Sequence, residues 1–177
     1  MKERGILFSA PMVRAILSGR KTVTRRILGN QGAIIGMDVP QAREHILSRC
    51  PYGAAGDRLW VRETWMPHDT DDSRNIRYRA DGDVANTNLP WKPSIFMPRW
   101  ASRITLEVVG VRVERLQEIT NADAVAEGVD PGMGFCDFSI PHHREAFERL
   151  WDEINGKRAP WASNPLVWRV EFRMLPQ

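Results

Sequence analysis

Strand-like patterns run from one end of this chain to the other, with helical patterns inserted at irregular intervals, and this distribution most constrains the fold. Period-two or β-branched patterning marks residues 22–28, 58–65, 76–79, 103–116 and 166–172, and the short apolar run Ile6-Leu7-Phe8 suits a first strand. Helical spacing marks 11–17, 121–127 and 141–154, and a further short helix fits 41–49. No regular strand-helix alternation connects them. That argues for an α+β protein over a doubly wound sheet, with a small mixed β-barrel as the simplest closed solution. At 177 residues a single domain, 1–177, can bury its core without disulfides or metal. The glycine- and proline-containing span 29–57 and the span 66–100 read as insertions, the latter holding an acidic loop at 69–73, a turn at Asp81-Gly82 and a proline- and tryptophan-rich loop.

Several elements carry finer signals. In 58–65, Leu59, Val61, Glu63 and Trp65 share one strand face while Trp60, Arg62 and Thr64 share the other. Glu63 therefore lines up with apolar neighbours, either as the partner of an arginine or as a site residue. The strand at 103–116 has a break near Gly110, and Thr120 followed by Asp123 resembles a capping box with Asp in place of Glu. In the longest helix Phe147, Leu150, Trp151 and Ile154 form one apolar face, and Gly156 terminates it.

The corner Ser18-Gly19-Arg20-Lys21-Thr22-Val23-Thr24-Arg25-Arg26 joins a short amphipathic helix to a strand. Lysine is scarce in this chain, occurring only at Lys2, Lys21, Lys92 and Lys157 among 25 basic residues. Arginine stays protonated, whereas a desolvated lysine crowded by like charges can release its proton and act as base or nucleophile. Lys21 is therefore read either as a reactive group or as a solvated charge at a helix end. On a regular strand Lys21 and Thr24 would point to opposite faces. A shared site thus requires irregular backbone between Gly19 and Val23.

A net charge of +3 permits nucleic acid without demanding it, although an arginine bias and seven tryptophans suit phosphate contacts and base stacking. Cys50 and Cys136 lack the spacing of a ligand set and read as buried free thiols, and the adjacent His142 and His143 point different ways. No metal or cofactor is expected. The absence of a long apolar run or signal peptide sets the expectation of a cytoplasmic protein with no membrane partner.

Together, Phe8-Ser9-Ala10-Pro11-Met12-Val13, Gly19-Arg20-Lys21-Thr22-Val23-Thr24-Arg25-Arg26, the stretch from Gly56-Asp57-Arg58 to Glu63-Thr64-Trp65, Tyr78-Arg79-Ala80-Asp81-Gly82, Pro98-Arg99-Trp100-Ala101-Ser102-Arg103 and Ala126-Glu127-Gly128 resemble the ASCH domain over nearly the full chain. That family is a PUA-like β-barrel with flanking helices, common in bacteria and their phages and prophages. The resemblance implies RNA binding or, as in one bacterial branch, hydrolysis of N4-acetylcytidine to cytidine and acetate by a lysine, a threonine and a glutamate. The matching positions are Lys21, Thr24 and Glu127. The partner would be a nucleoside or single-stranded RNA, held by Arg20, Arg25, Arg26, Glu63, Trp65, Tyr78 and Arg79. A single-stranded RNA-binding module, with or without nuclease activity, is the alternative. This chain is longer than that branch, because of the insertions.

Overall fold

The computed structural model describes residues 1–29, 46–67, 76–82, 90–130 and 142–176. A five-stranded mixed sheet forms its centre, in the order β1 (Glu3–Leu7), β3 (Arg58–Arg62), β6 (Thr105–Arg115), β7 (Leu166–Met174), β2 (Val23–Ile27). Only the β1–β3 pairing is parallel. Helix α1 (Ala10–Leu17) carries the chain from one outer strand, β1, to the other, β2. Helices α2 (Asn121–Ala126) and α3 (His143–Asn155) lie between β6 and β7 in the chain. This is the mixed α+β architecture that the irregular patterning implies. Between the outer strands runs a side-chain contact, Arg26 Nη2 donating to Leu7 O at 2.6 Å.

Residue parity on β7 separates two cores. Trp168, Val170 and Phe172 pack with Val13 and Ile16 of α1 and with Ile6, Leu59, Val61, Leu106 and Val108. Val167, on the opposite face, packs with Phe147 and Trp151 of α3, Ala124 of α2, and Leu116, Ile119 and Trp161. Each fully buried aliphatic side chain contributes roughly 1.5–3 kcal/mol relative to exposure, so both helical layers are held to the sheet mainly by apolar burial. Ile154 departs from the expected apolar face: it is 62% exposed, since α3 is near its end there and has no described element over it.

The expected strand at 58–65 is divided. β3 stops at Arg62, and β4 (Trp65–Pro67) leaves the sheet to pair with β5 (Ile76–Tyr78) in a separate two-stranded sheet. The alternation itself survives the break, with Leu59, Val61, Glu63 and Trp65 all buried. Glu63 turns inward to a two-pronged pair with Arg103, at 3.0 and 3.1 Å, and Thr64 O accepts from Arg79 N. The ladder register of β6 on β7 shifts between Val108 and Gly110, where the sequence placed a break. Thr120 and Asp123 form their reciprocal cap. Cys50 is a buried free thiol, whereas Cys136, the acidic loop at 69–73, and most of the helix expected at 41–49 fall outside the described residues. Among the described residues no helix is long and apolar enough to cross a membrane.

Candidate active site

The corner after α1 is irregular, as a joint site for Lys21 and Thr24 requires. Gly19 adopts a left-handed conformation, φ +73°, that a glycine takes without strain. Lys21 N then reaches back to Ala15 O at 2.9 Å, Thr22 N binds Ala126 O at 2.8 Å, and β2 begins only at Val23. Lys21 thus belongs to the corner, not to the strand.

Its side chain runs inward and is 2% exposed. Nζ donates to Val23 O at 2.8 Å, Glu127 O at 2.8 Å and Glu127 Oε2 at 2.7 Å. All three N–H groups of the ammonium are therefore engaged. Glu127 caps the C-terminal end of α2, where the helix dipole favours a cation. The following residue, Gly128, has φ +75° and packs against the lysine stem. Burial pushes the Lys21 pKa down; Glu127 pulls it back up, and Arg26 and Arg25 add to the lowering.

Arg25 completes the buried cluster. Its Nη1 donates to Glu127 Oε1 at 3.2 Å, its Nε to Glu114 Oε1 at 2.8 Å, and its Nη2 stands 3.4 Å from Asp123 Oδ2. Across the sheet, Arg25 faces Arg169 on β7 and Arg169 faces Arg112 on β6. Like charges in such a row repel, and the intervening carboxylates offset them: Asp123 and Glu171 bind Arg169, and Glu114 Oε2 binds Arg112 at 2.8 Å. Burial pushes the Asp123 carboxyl up, but the Thr120 N–H and hydroxyl and the Arg169 and Arg25 guanidiniums outweigh it and hold the pKa at about 2.

Lys21, Thr24, Arg25, Arg26 and Glu127 line one cleft of about 600 Å³. That volume lies within the range of small-ligand sites. Because β2 is an outer strand, both of its faces reach the cleft, Thr24 and Arg26 from one and Arg25 from the other. Phe8 and Met12 form one apolar wall; Leu150, Trp151 and Ile154 of α3 form another. The Thr24 hydroxyl has no hydrogen-bond partner among the described residues, although its residue is buried. It stands in the same cleft as the fully engaged Lys21 ammonium.

The remaining binding candidates lie elsewhere. Arg20 is exposed and donates to Ser18 Oγ at 3.1 Å. Glu63 is taken up by Arg103, whose guanidinium also lies 3.9 Å from the centre of the Tyr78 ring. Trp65 is buried against Trp100, and the Arg79 guanidinium stands over Trp91 at 5.3 Å. None of these five lines the cleft. Sequence reading missed Tyr52 and Arg158, which do line it, and the tether Glu114, whose parity with Arg112 on β6 was the available signal. Among the described residues no group of three histidine, cysteine or acidic side chains is placed to hold a metal ion.

No family model and no curated protein matches the chain. Among solved structures it is similar to an ASCH domain from Lactobacillus crispatus, with 13% identity and a TM-score of 0.42, covering 98% of this chain and 79% of that one. It is also similar to a protein from Enterococcus faecalis of the family DUF984, with 12% identity and a TM-score of 0.46, covering 99% of this chain and 80% of that one.

Proposed function

We propose that this chain is an ASCH-type hydrolase that removes an acyl group from the N4 amine of cytidine, in a nucleoside or in RNA. The observation that carries the reading is the meeting of a buried Lys21–Glu127 pair with an unpartnered Thr24 hydroxyl in one cleft.

At rest Lys21 has no lone pair to offer, because all three of its protons face acceptors. Transfer of one proton across the 2.7 Å bond to Glu127 Oε2 leaves a neutral amine and a neutral carboxyl, and the burial of Lys21 lowers the cost of giving up its charge. Thr24 Oγ1 orients a water against the acyl carbon. The Lys21 amine takes a proton from that water as the C–O bond forms, and the recharged ammonium stands beside the oxyanion. As the C–N4 bond breaks, the Glu127 carboxyl protonates the departing amine. Cytidine and the carboxylic acid leave, and both side chains return to their resting charges.

The test is turnover of N4-acetylcytidine followed by chromatography. Wild-type protein releases cytidine, and Thr24→Val and Lys21→Met do not. No turnover by wild type, or full activity in Lys21→Met, overturns the reading. A second reading, single-stranded RNA binding, is favoured by Arg26 and Arg158 on the cleft lining. It requires an affinity that falls steeply with added salt as phosphate contacts release counterions, and undetectable binding at low salt removes it.

A further inference from the structure

We propose that Arg25 is a positioning residue for Glu127, held in place by Glu114, and does not bind substrate. This rests on the hydrolase reading above.

Although Arg25 borders the cleft, its side chain is completely buried, with Nε bonded to Glu114, Nη1 bonded to Glu127 and Nη2 held beside the Glu114 carboxylate. Glu127 has two carboxylate oxygens, and each is claimed by a different cation: Oε2 by Lys21 at 2.7 Å and Oε1 by Arg25 at 3.2 Å. Two donors at fixed angles set the plane of the carboxylate as well as its position. A lysine ammonium alone acts as a point charge and leaves that plane free to rotate. The proton route proposed above requires Oε2 to face Nζ, so the contact at Oε1 fixes the geometry of the step.

Arg25 is itself anchored at its other end. Glu114 Oε1 lies 2.8 Å from Nε and 2.7 Å from Nη2, and Asp123 approaches Nη2 at 3.4 Å. Glu114 comes from β6, two strands away from β2 in the sheet, and does not line the cleft. The central sheet therefore sets the direction of a carboxylate at the end of α2. Arg26, the neighbouring basic residue, has a different role: it lines the cleft and binds Leu7 O and the Phe8 face.

Three variants test this: Arg25→Lys, Arg25→Gln and Glu114→Gln, each checked for a native circular dichroism spectrum and assayed on N4-acetylcytidine. Misplacing a reacting group by about 1 Å costs on the order of 10²-fold in rate, so kcat in Arg25→Lys falls by that order while KM stays within about twofold. Glu114→Gln, which does not itself line the cleft and reaches it only through Arg25, lowers kcat in the same direction with KM unchanged. A raised KM with preserved kcat in Arg25→Lys makes Arg25 a substrate ligand and overturns the proposal, as does unchanged kcat in all three variants. A second readout needs no turnover: NMR titration of the Lys21 side chain. Loss of the Arg25 charge in Arg25→Gln moves the Lys21 titration to higher pH, and coincident curves overturn the coupling. Inactive wild-type protein with a shifted Lys21 titration would sink the hydrolase reading and leave the Arg25–Glu127–Lys21 link standing.

Discussion

Gly128 lies directly behind Lys21: a Cβ on this glycine would stand 2.8 Å from Lys21 Cβ and 2.7 Å from Ala15 Cβ. Neither neighbour can yield, because Ala15 is buried in α1 and the lysine stem is held at its tip by three acceptors. Gly128→Ala combines left-handed backbone strain with overpacking, so it should cost about 2–4 kcal/mol in a urea unfolding titration. Turnover should fall with it, since the displaced atoms belong to the lysine.

Thr24→Val should separate chemistry from stability. The side chains are close to isosteric and the hydroxyl gives up no hydrogen bond within the described protein, so unfolding free energy should stay within about 1 kcal/mol of wild type. Turnover should drop by roughly 10²-fold or more, while Thr24→Ser keeps a measurable rate. A Thr24→Val protein that remains fully active would remove Thr24 from the mechanism.

Breaking the Lys21–Glu127 pair from one side strands a charge in the interior. Lys21→Met and Glu127→Gln should each destabilise by about 3–5 kcal/mol, and the double variant by clearly less than their sum, as measured by a double-mutant cycle in denaturant.

The same lysine has a pH signature. Its folded pKa lies below the ordinary 10.5, so between the two values the unfolded chain binds more protons and stability rises with pH. The stability difference between wild type and Lys21→Met should therefore grow in favour of wild type as pH increases toward 10.5, and a difference that is flat or falls would contradict a desolvated Lys21.

Asp123 acts at the other end of the scale. With a folded pKa of about 2 against an ordinary 3.8, it contributes stability that is fully present above 3.8 and is lost as pH falls through 2. Acid unfolding of Asp123→Asn should begin from a lower plateau and show a shallower loss between pH 4 and 2.

Local signals carried much of the fold. The corner at Gly19, the break at Gly110 and the reciprocal Thr120–Asp123 cap depend on residues near one another in the chain, and all three are in place. The division of the 58–65 strand was not legible, because the alternation continues through Glu63 and the partner that Glu63 meets there, Arg103, lies 40 residues away. The same physics explains the candidate site. The parity conflict between Lys21 and Thr24 could be read from four residues. By contrast, Arg25 looks like any basic strand residue until Glu114, Asp123 and Glu127 converge on it from β6 and α2, a charge balance that only the tertiary pairing creates.

The outer strands of a sheet present unpaired backbone groups on which another sheet can grow, and proteins blunt such edges with charged side chains. Here Lys21 Nζ occupies the Val23 carbonyl of β2 and Arg26 Nη2 occupies the Leu7 carbonyl of β1. The cations that line the cleft therefore also cover one carbonyl on each outer strand. A chain that traded Lys21 for an apolar side chain would leave the Val23 carbonyl of β2 without this donor, which ties the identity of this residue to the integrity of a strand edge.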